Sequence, residues 1–123
     1  MYITSATLND TQVSDETYPA GQLSTGLIEA LIRRLDGARH TMVTLSAGEQ
    51  ALMTIGGKAG EGFVVYQNSD ASYHVLSATD AVSLAAGDVR QRDRLVDLDR
   101  AVTAANEFAL HGRLADGLVW QTL

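Results

Sequence analysis

Lys58 lies in the run Gly56-Gly57-Lys58-Ala59-Gly60-Glu61-Gly62, and a lysine among glycines could cradle a phosphate, because glycine backbones expose N–H groups to an anion. The surrounding residues argue against that chemistry. A phosphate loop needs Ser or Thr after the lysine and a helix after the loop, whereas Ala59 follows Lys58 and Phe63-Val64-Val65-Tyr66 reads as a strand. The dinucleotide-binding pattern fails for want of the same helix. The segment is therefore expected to be a hairpin connection whose glycines supply positive φ. His40, His74 and His111 are far apart, none lies in an HExxH pattern, and the chain has no cysteine to complete a zinc site. His111, beside an expected helix C-terminus, suits the dipole and the last carbonyls. His40 and His74 fall on expected strands and could act together only by sharing a sheet face. There is no GxSxG elbow, and Asp97 and Asp99, two residues apart, do not share a helix face, so capping explains them better than paired acid–base work. No catalytic residue, cofactor site or metal site is assigned.

What remains is recognition chemistry. Asp15, Glu16, Glu61, Asp70, Asp80 and Asp88 all fall in expected loops or edges, where they form either an acidic recognition surface or ordinary solvated loops. Tyr66 and Tyr73 flank the turn Asn68-Ser69-Asp70-Ala71, and amphipathic aromatics are favoured binding anchors when they point outward. Trp120, the only tryptophan, lies in an apolar C-terminal run and reads as a core anchor.

These residues need elements to hold them. Tyr2 to Leu8 reads as a strand and Asn9-Asp10-Thr11 as a turn; Asp15 to Gly21, which holds the only proline, reads as a loop. Leu27, Ile28, Leu31, Ile32 and Leu35 recur at helical spacing, with Ser24 or Thr25 to cap the first turn and Gly37 to stop the helix. Four β-permissive runs follow, at 40–45, 51–55, 63–66 and 73–76. Their short links force antiparallel pairing, because parallel strands need longer crossovers. In the stretch from Asp80 to Leu95, Val82, Leu84 and Val89 hint at one further strand, and Arg90-Gln91-Arg92-Asp93-Arg94 reads as solvated. A second helix starts at Asp97 or Asp99, buries Ala101, Val102, Ala105, Phe108 and Ala109, and ends at His111-Gly112. Leu118 to Leu123 closes as a strand. The expected fold is α+β: an antiparallel β-sheet meander with two helices packed on one face, as a single domain over 1–123.

Composition narrows the class of partner. With 46% hydrophobic and 20% charged residues among 123, the chain has the balance of a folded globular domain and not of a disordered one. No run approaches the ~18 apolar residues of a membrane span, and the polar, acidic N-terminus lacks a signal-peptide pattern. Together with the absence of cysteine, this leads to an expectation of a cytoplasmic protein. A formal charge of -6 argues against direct nucleic-acid binding and suits a basic protein partner.

The segment Asn106-Glu107-Phe108-Ala109-Leu110-His111-Gly112-Arg113-Leu114-Ala115-Asp116-Gly117-Leu118-Val119-Trp120 resembles the ending of a bacterial family. There a helix closing on Glu-Phe leads to Gly, a short turn, and an apolar strand ending on Trp. The family is the first of the numbered polymorphic-toxin immunity families, Imm-one. The upstream helix, the β-meander with its Tyr66-Gln67-Asn68-Ser69-Asp70 turn and the Leu95-Val96-Asp97-Leu98 approach to the second helix follow the same order; Ala115 stands where many members carry proline. The resemblance implies a cytoplasmic immunity protein, not an enzyme, that binds and neutralises a cognate toxin domain of the nuclease or deaminase class by occluding its active site. Phe108, Gly112 and Trp120 would then be fold determinants, with Glu61, Tyr66, Asp70, Tyr73 and Asp80 as partner-binding candidates on a monomer or homodimer. Two rivals stand beside it. One is a small-ligand or enzymatic domain with a pocket lined by His40, His74 or tyrosines; the other is a self-associating module that pairs through a strand edge or apolar face.

Overall fold

The computed structural model describes residues 1–49, 51–69, 72–77 and 94–122. The further strand proposed around Val82, Leu84 and Val89 lies outside the described residues. Strands β1 (Ser5–Leu8), β2 (Glu16–Pro19), β3 (Met42–Ser46), β4 (Ala51–Lys58), β5 (Gly62–Ser69), β6 (Ser72–Ser77) and β7 (Val119–Thr122) form one sheet in the order β2-β1-β3-β4-β5-β6-β7. Every neighbouring pair is antiparallel. Among the described residues, two α-helices, α1 (Thr25–Arg33) and α2 (Leu98–His111), join the sheet in an α+β fold.

Register fixes which side chains face the helices, because alternate strand residues point to opposite faces. Ala6, Leu45, Met53, Gln67, His74 and Thr122 pair in one row across the sheet, and Leu8, Val43, Ile55 and Val65 in the next. Most of these are fully buried and join Ile28, Leu31 and Ile32 of α1 and Ala101, Ala104, Ala105, Phe108 and Ala109 of α2 in a single core. Helix α2 packs on β4 and β5, and α1 packs beside α2. The alanines of α2 let its backbone approach closely, and Phe108 fills the remaining depth with its ring edge-on to Tyr2 at 5.8 Å.

The helix ends follow local chemistry. The Ser24 hydroxyl accepts from Leu27 N at 3.1 Å, and the Asp97 carboxylate accepts from Arg100 N at 2.9 Å, each satisfying an orphan N–H of a first turn. Gly112 adopts the left-handed conformation at φ 70° and donates its N–H to Phe108 O, which ends α2.

Several boundaries differ from expectation, and α1 ends at Arg33 with Arg34 as its C-cap, before Leu35 and the Gly37 expected to stop it. The segment expected as a loop from Asp15 to Gly21 contains β2, an edge strand too short for periodicity to reveal. Tyr18 packs on the core and Pro19, lacking an N–H, closes the strand at an edge where that donor is dispensable. The glycine-rich run is mostly strand, since β4 continues to Lys58 and β5 begins at Gly62, leaving Ala59, Gly60 and Glu61 as the turn. The first strand begins at Ser5; before it, Tyr2 N and Ile3 N both donate to Ala109 O and tie the N-terminus to α2.

Candidate protein-docking face

The sheet face turned away from the helices is built from the alternate rows. Thr17, Thr7, Thr44, Thr54, Tyr66, Val75 and Gln121 pair in one line across all seven strands. Beside it run Pro19, Ser5, Ser46, Leu52, Asn68 and Tyr73, and on the other side Met42, Gly56 and Val64. None of these residues is charged at neutral pH. Lys58, at the far end of β4, is the first charge on that side, and its ammonium lies 3.5 Å from the Glu61 carboxylate. Val75 and Ser77 are buried, so the accessible part extends from β2 to β5 with Tyr73 at its margin. There Met42 is 40%, Leu52 37% and Tyr73 56% exposed, which is ample for contact with another protein.

The proposed recognition residues divide by place. Tyr66 and Tyr73 share this face as diagonal neighbours on β5 and β6, where long side chains are within reach of each other. Glu61 is exposed in the β4–β5 turn at one end of the same face. Asp70 and Asp80 lie outside the described residues. Among the fold determinants, Phe108 is fully buried and Gly112 forms the αL cap; Trp120 lies partly buried on the helix side of β7, its indole N–H directed at Ala115 O, 3.4 Å away. Met42, Leu52, Thr44 and Thr54 did not stand out in the sequence, although strict alternation in β3 and β4 separates them from the core residues between them.

Histidine chemistry does not converge. His40 precedes β3 instead of lying in it, and its Nδ1 is 2.8 Å from Asn9 O. His74 is on β6, its Nδ1 3.1 Å from the Thr122 hydroxyl, toward the opposite edge of the sheet. Two shallow grooves flank the β4–β5 turn. One, of about 370 Å³, is lined by Gly60, Gly62, Phe63 and the 95–98 segment, and the other, of about 630 Å³, by Asp36, Gly37, Thr41, Gly57 and Lys58. Neither contains His40, His74 or a tyrosine.

A polar cluster that the sequence did not reveal joins the β1–β2 edge to the approach to β3. Oxygens of Asp10 and Glu16 and a ring nitrogen of His40 all lie within 4.8 Å of one another, close enough to share a cation. The acids are already engaged. Asp10, with 2% of its side chain exposed, accepts from Gln12 N, Val13 N and the Arg39 guanidinium. Glu16 accepts two bonds from Arg34 and one from the Tyr18 hydroxyl. A cation would have to displace two arginine forks, so the cluster reads as an ionic knot holding β2 and the 36–40 loop. The Arg39 hydrogen bond, helped by backbone N–H groups and opposed by burial, holds the Asp10 carboxyl well below the usual carboxylate range. Arg34 and Tyr18 lower Glu16 in the same way, and Glu16 raises the Tyr18 phenol.

Six described bases are paired, and Arg94 differs, its Nε buried without a partner among the described residues. Arg33, Arg34, Arg39, Lys58, Arg100 and Arg113 each face a carboxylate, respectively Glu29, Glu16, Asp10, Glu61, Asp97 and Glu107. Asp15, Glu49 and Asp99 form no ion pair among the described residues, and the chain's formal charge is -6. No helix among the described residues is long and apolar enough to cross a membrane. The chain matches no protein-family model, no curated protein and no solved structure.

Proposed function

We propose that this protein is an immunity protein, which binds a cognate bacterial toxin domain of the nuclease or deaminase class in the cytoplasm and occludes its active site. The observation that carries the reading is the charge arrangement: a formal charge of -6, six described bases held in ion pairs, and a broad sheet face without charge. Enzymes that act on nucleic acids present basic clefts, and an acidic protein suits such a cleft in both encounter rate and selectivity. The resemblance to the Imm-one ending supplies the biological role. Phe108 lies in the last turn of α2, Gly112 caps it and Trp120 lies on β7, an order compatible with that ending. The test is co-expression with the toxin-like C-terminal domain encoded beside this chain, scored for growth and for co-purification. Rescue with a stable complex is expected. A demonstrably toxic neighbour that is neither bound nor neutralised would refute cognate immunity to it. The small-ligand reading needs convergent polar groups in a pocket, and the two grooves at the β4–β5 turn offer it little support.

A further inference from the structure

We propose that the open sheet face from β2 to β5, with Tyr73 at its margin, is the surface on which the toxin domain docks, and that the toxin meets it with a polar, uncharged patch bordered by lysine or arginine. This inference rests on the immunity reading and adds the surface and the chemistry that fits it.

Three observations carry it. The first is desolvation. Stable interfaces deplete charge from their centres and enrich aromatic residues and methionine, because an ionised group loses more hydration on burial than a neutral one. In a chain of formal charge -6, the Met42, Thr44, Leu52, Thr54 and Tyr66 region is free of charge. The second is hydrogen-bonding capacity. The Thr7 hydroxyl pairs with that of Thr17 at 3.2 Å, whereas the Thr44 and Thr54 hydroxyls at the centre have no partner among the described residues and are free to bond across an interface. The third is the rim. Glu49 lies in the β3–β4 turn at one end of the face, and Asp15 in the β1–β2 turn and Glu61 in the β4–β5 turn at the other. Glu49 and Asp15 lack a basic partner among the described residues, and Glu61 shares a single exposed lysine. A neutral centre with acidic ends fits a partner with the inverse border, and it disfavours a second copy, whose acidic ends would face these.

The test uses the full chain and the neighbouring toxin domain, with affinity measured by calorimetry and fold checked by thermal melting. Leu52→Arg inserts a charge at the centre, Tyr73→Ala removes the exposed aromatic, and Thr103→Arg, on the outer surface of α2, is the control. Because Leu52 and Tyr73 are both exposed, melting temperatures should stay within a few degrees of wild type. At least about 30-fold weaker binding is expected for Leu52→Arg, with Tyr73→Ala also weakened, and less than about twofold change for Thr103→Arg. If wild type binds and both face variants bind equally well, the docking face is overturned while immunity stands. If wild type fails to bind an active toxin, the immunity reading falls and this surface with it. A dimer in solution that Leu52→Arg dissociates would assign the face to a second copy and overturn the proposal.

Discussion

A Cβ at position 112 would sit 2.6 Å from the Tyr2 ring, on a backbone already at φ 70°. Both terms oppose any side chain there. The left-handed conformation costs a non-glycine residue about 1–2 kcal/mol, and the overlap must shift the aromatic that packs edge-on against Phe108. Gly112→Ala should therefore lose about 2 kcal/mol or more in urea unfolding. Gln67 presents the opposite case. Its amide is fully buried on the helix side of β5, and neither its oxygen nor its nitrogen has a hydrogen-bond partner among the described residues. A buried unpaired amide is a burden of about 1–3 kcal/mol, so Gln67→Met, which keeps the volume, should raise the unfolding midpoint. A lower midpoint would mean that the amide is satisfied by a buried water. Asp10 ties its effect to pH. Its pKa is depressed in the folded state below the ordinary 3.8, so its contribution is complete above that value and fades as pH falls below it. Asp10→Asn keeps an acceptor for Gln12 and Val13 but drops the charge on Arg39. Its stability should decline less steeply than wild type between about pH 5 and 3, as followed by denaturant midpoints.

The helices show how much their own sequences determine. The 3.6-residue recurrence of Leu27, Ile28, Leu31 and Ile32, the Ser24 and Asp97 caps and the Gly112 terminator are local signals, and each appears where its chemistry places it. Removing the Asp97 cap as Asp97→Ala should cost about 1 kcal/mol, measured by equilibrium unfolding. Strands β3 to β6 were legible for a related reason, since apolar runs with short links leave antiparallel pairing as the simple solution. Strand β2 was not. Four residues ending in proline carry no period, and what makes Glu16–Pro19 a strand is β1's open edge together with Tyr18 on the core and Glu16 on Arg34. The Asp10–Arg39 pair was equally hidden, because its partners are 29 residues apart and nothing local marks them. The open face lies between these cases. Alternation shows which residues of β3 and β4 leave the core, but only the register shows that they line up with Tyr66 and Tyr73 into one uncharged surface.

At the scale of the whole molecule, two layers are divided by charge: the described ionised groups gather on the helices, the loops and the sheet's ends, and the middle of the open face has none. That division predicts kinetics as well as place. Association with a basic toxin domain should slow several-fold as salt rises from about 50 to 300 mM, with little change in dissociation, because the rim steers encounter while the neutral centre holds the complex. Stopped-flow mixing at several salt concentrations separates the two rates. If this chain silences a toxin by occupying it, titrating the purified chain into an active toxin domain encoded beside it, while the toxin's catalytic rate is followed, shows it directly. Activity should fall linearly and vanish at one chain per toxin. A rate that stays unchanged with the chain in large excess over an active toxin would show that the chain does not occlude that toxin's active site.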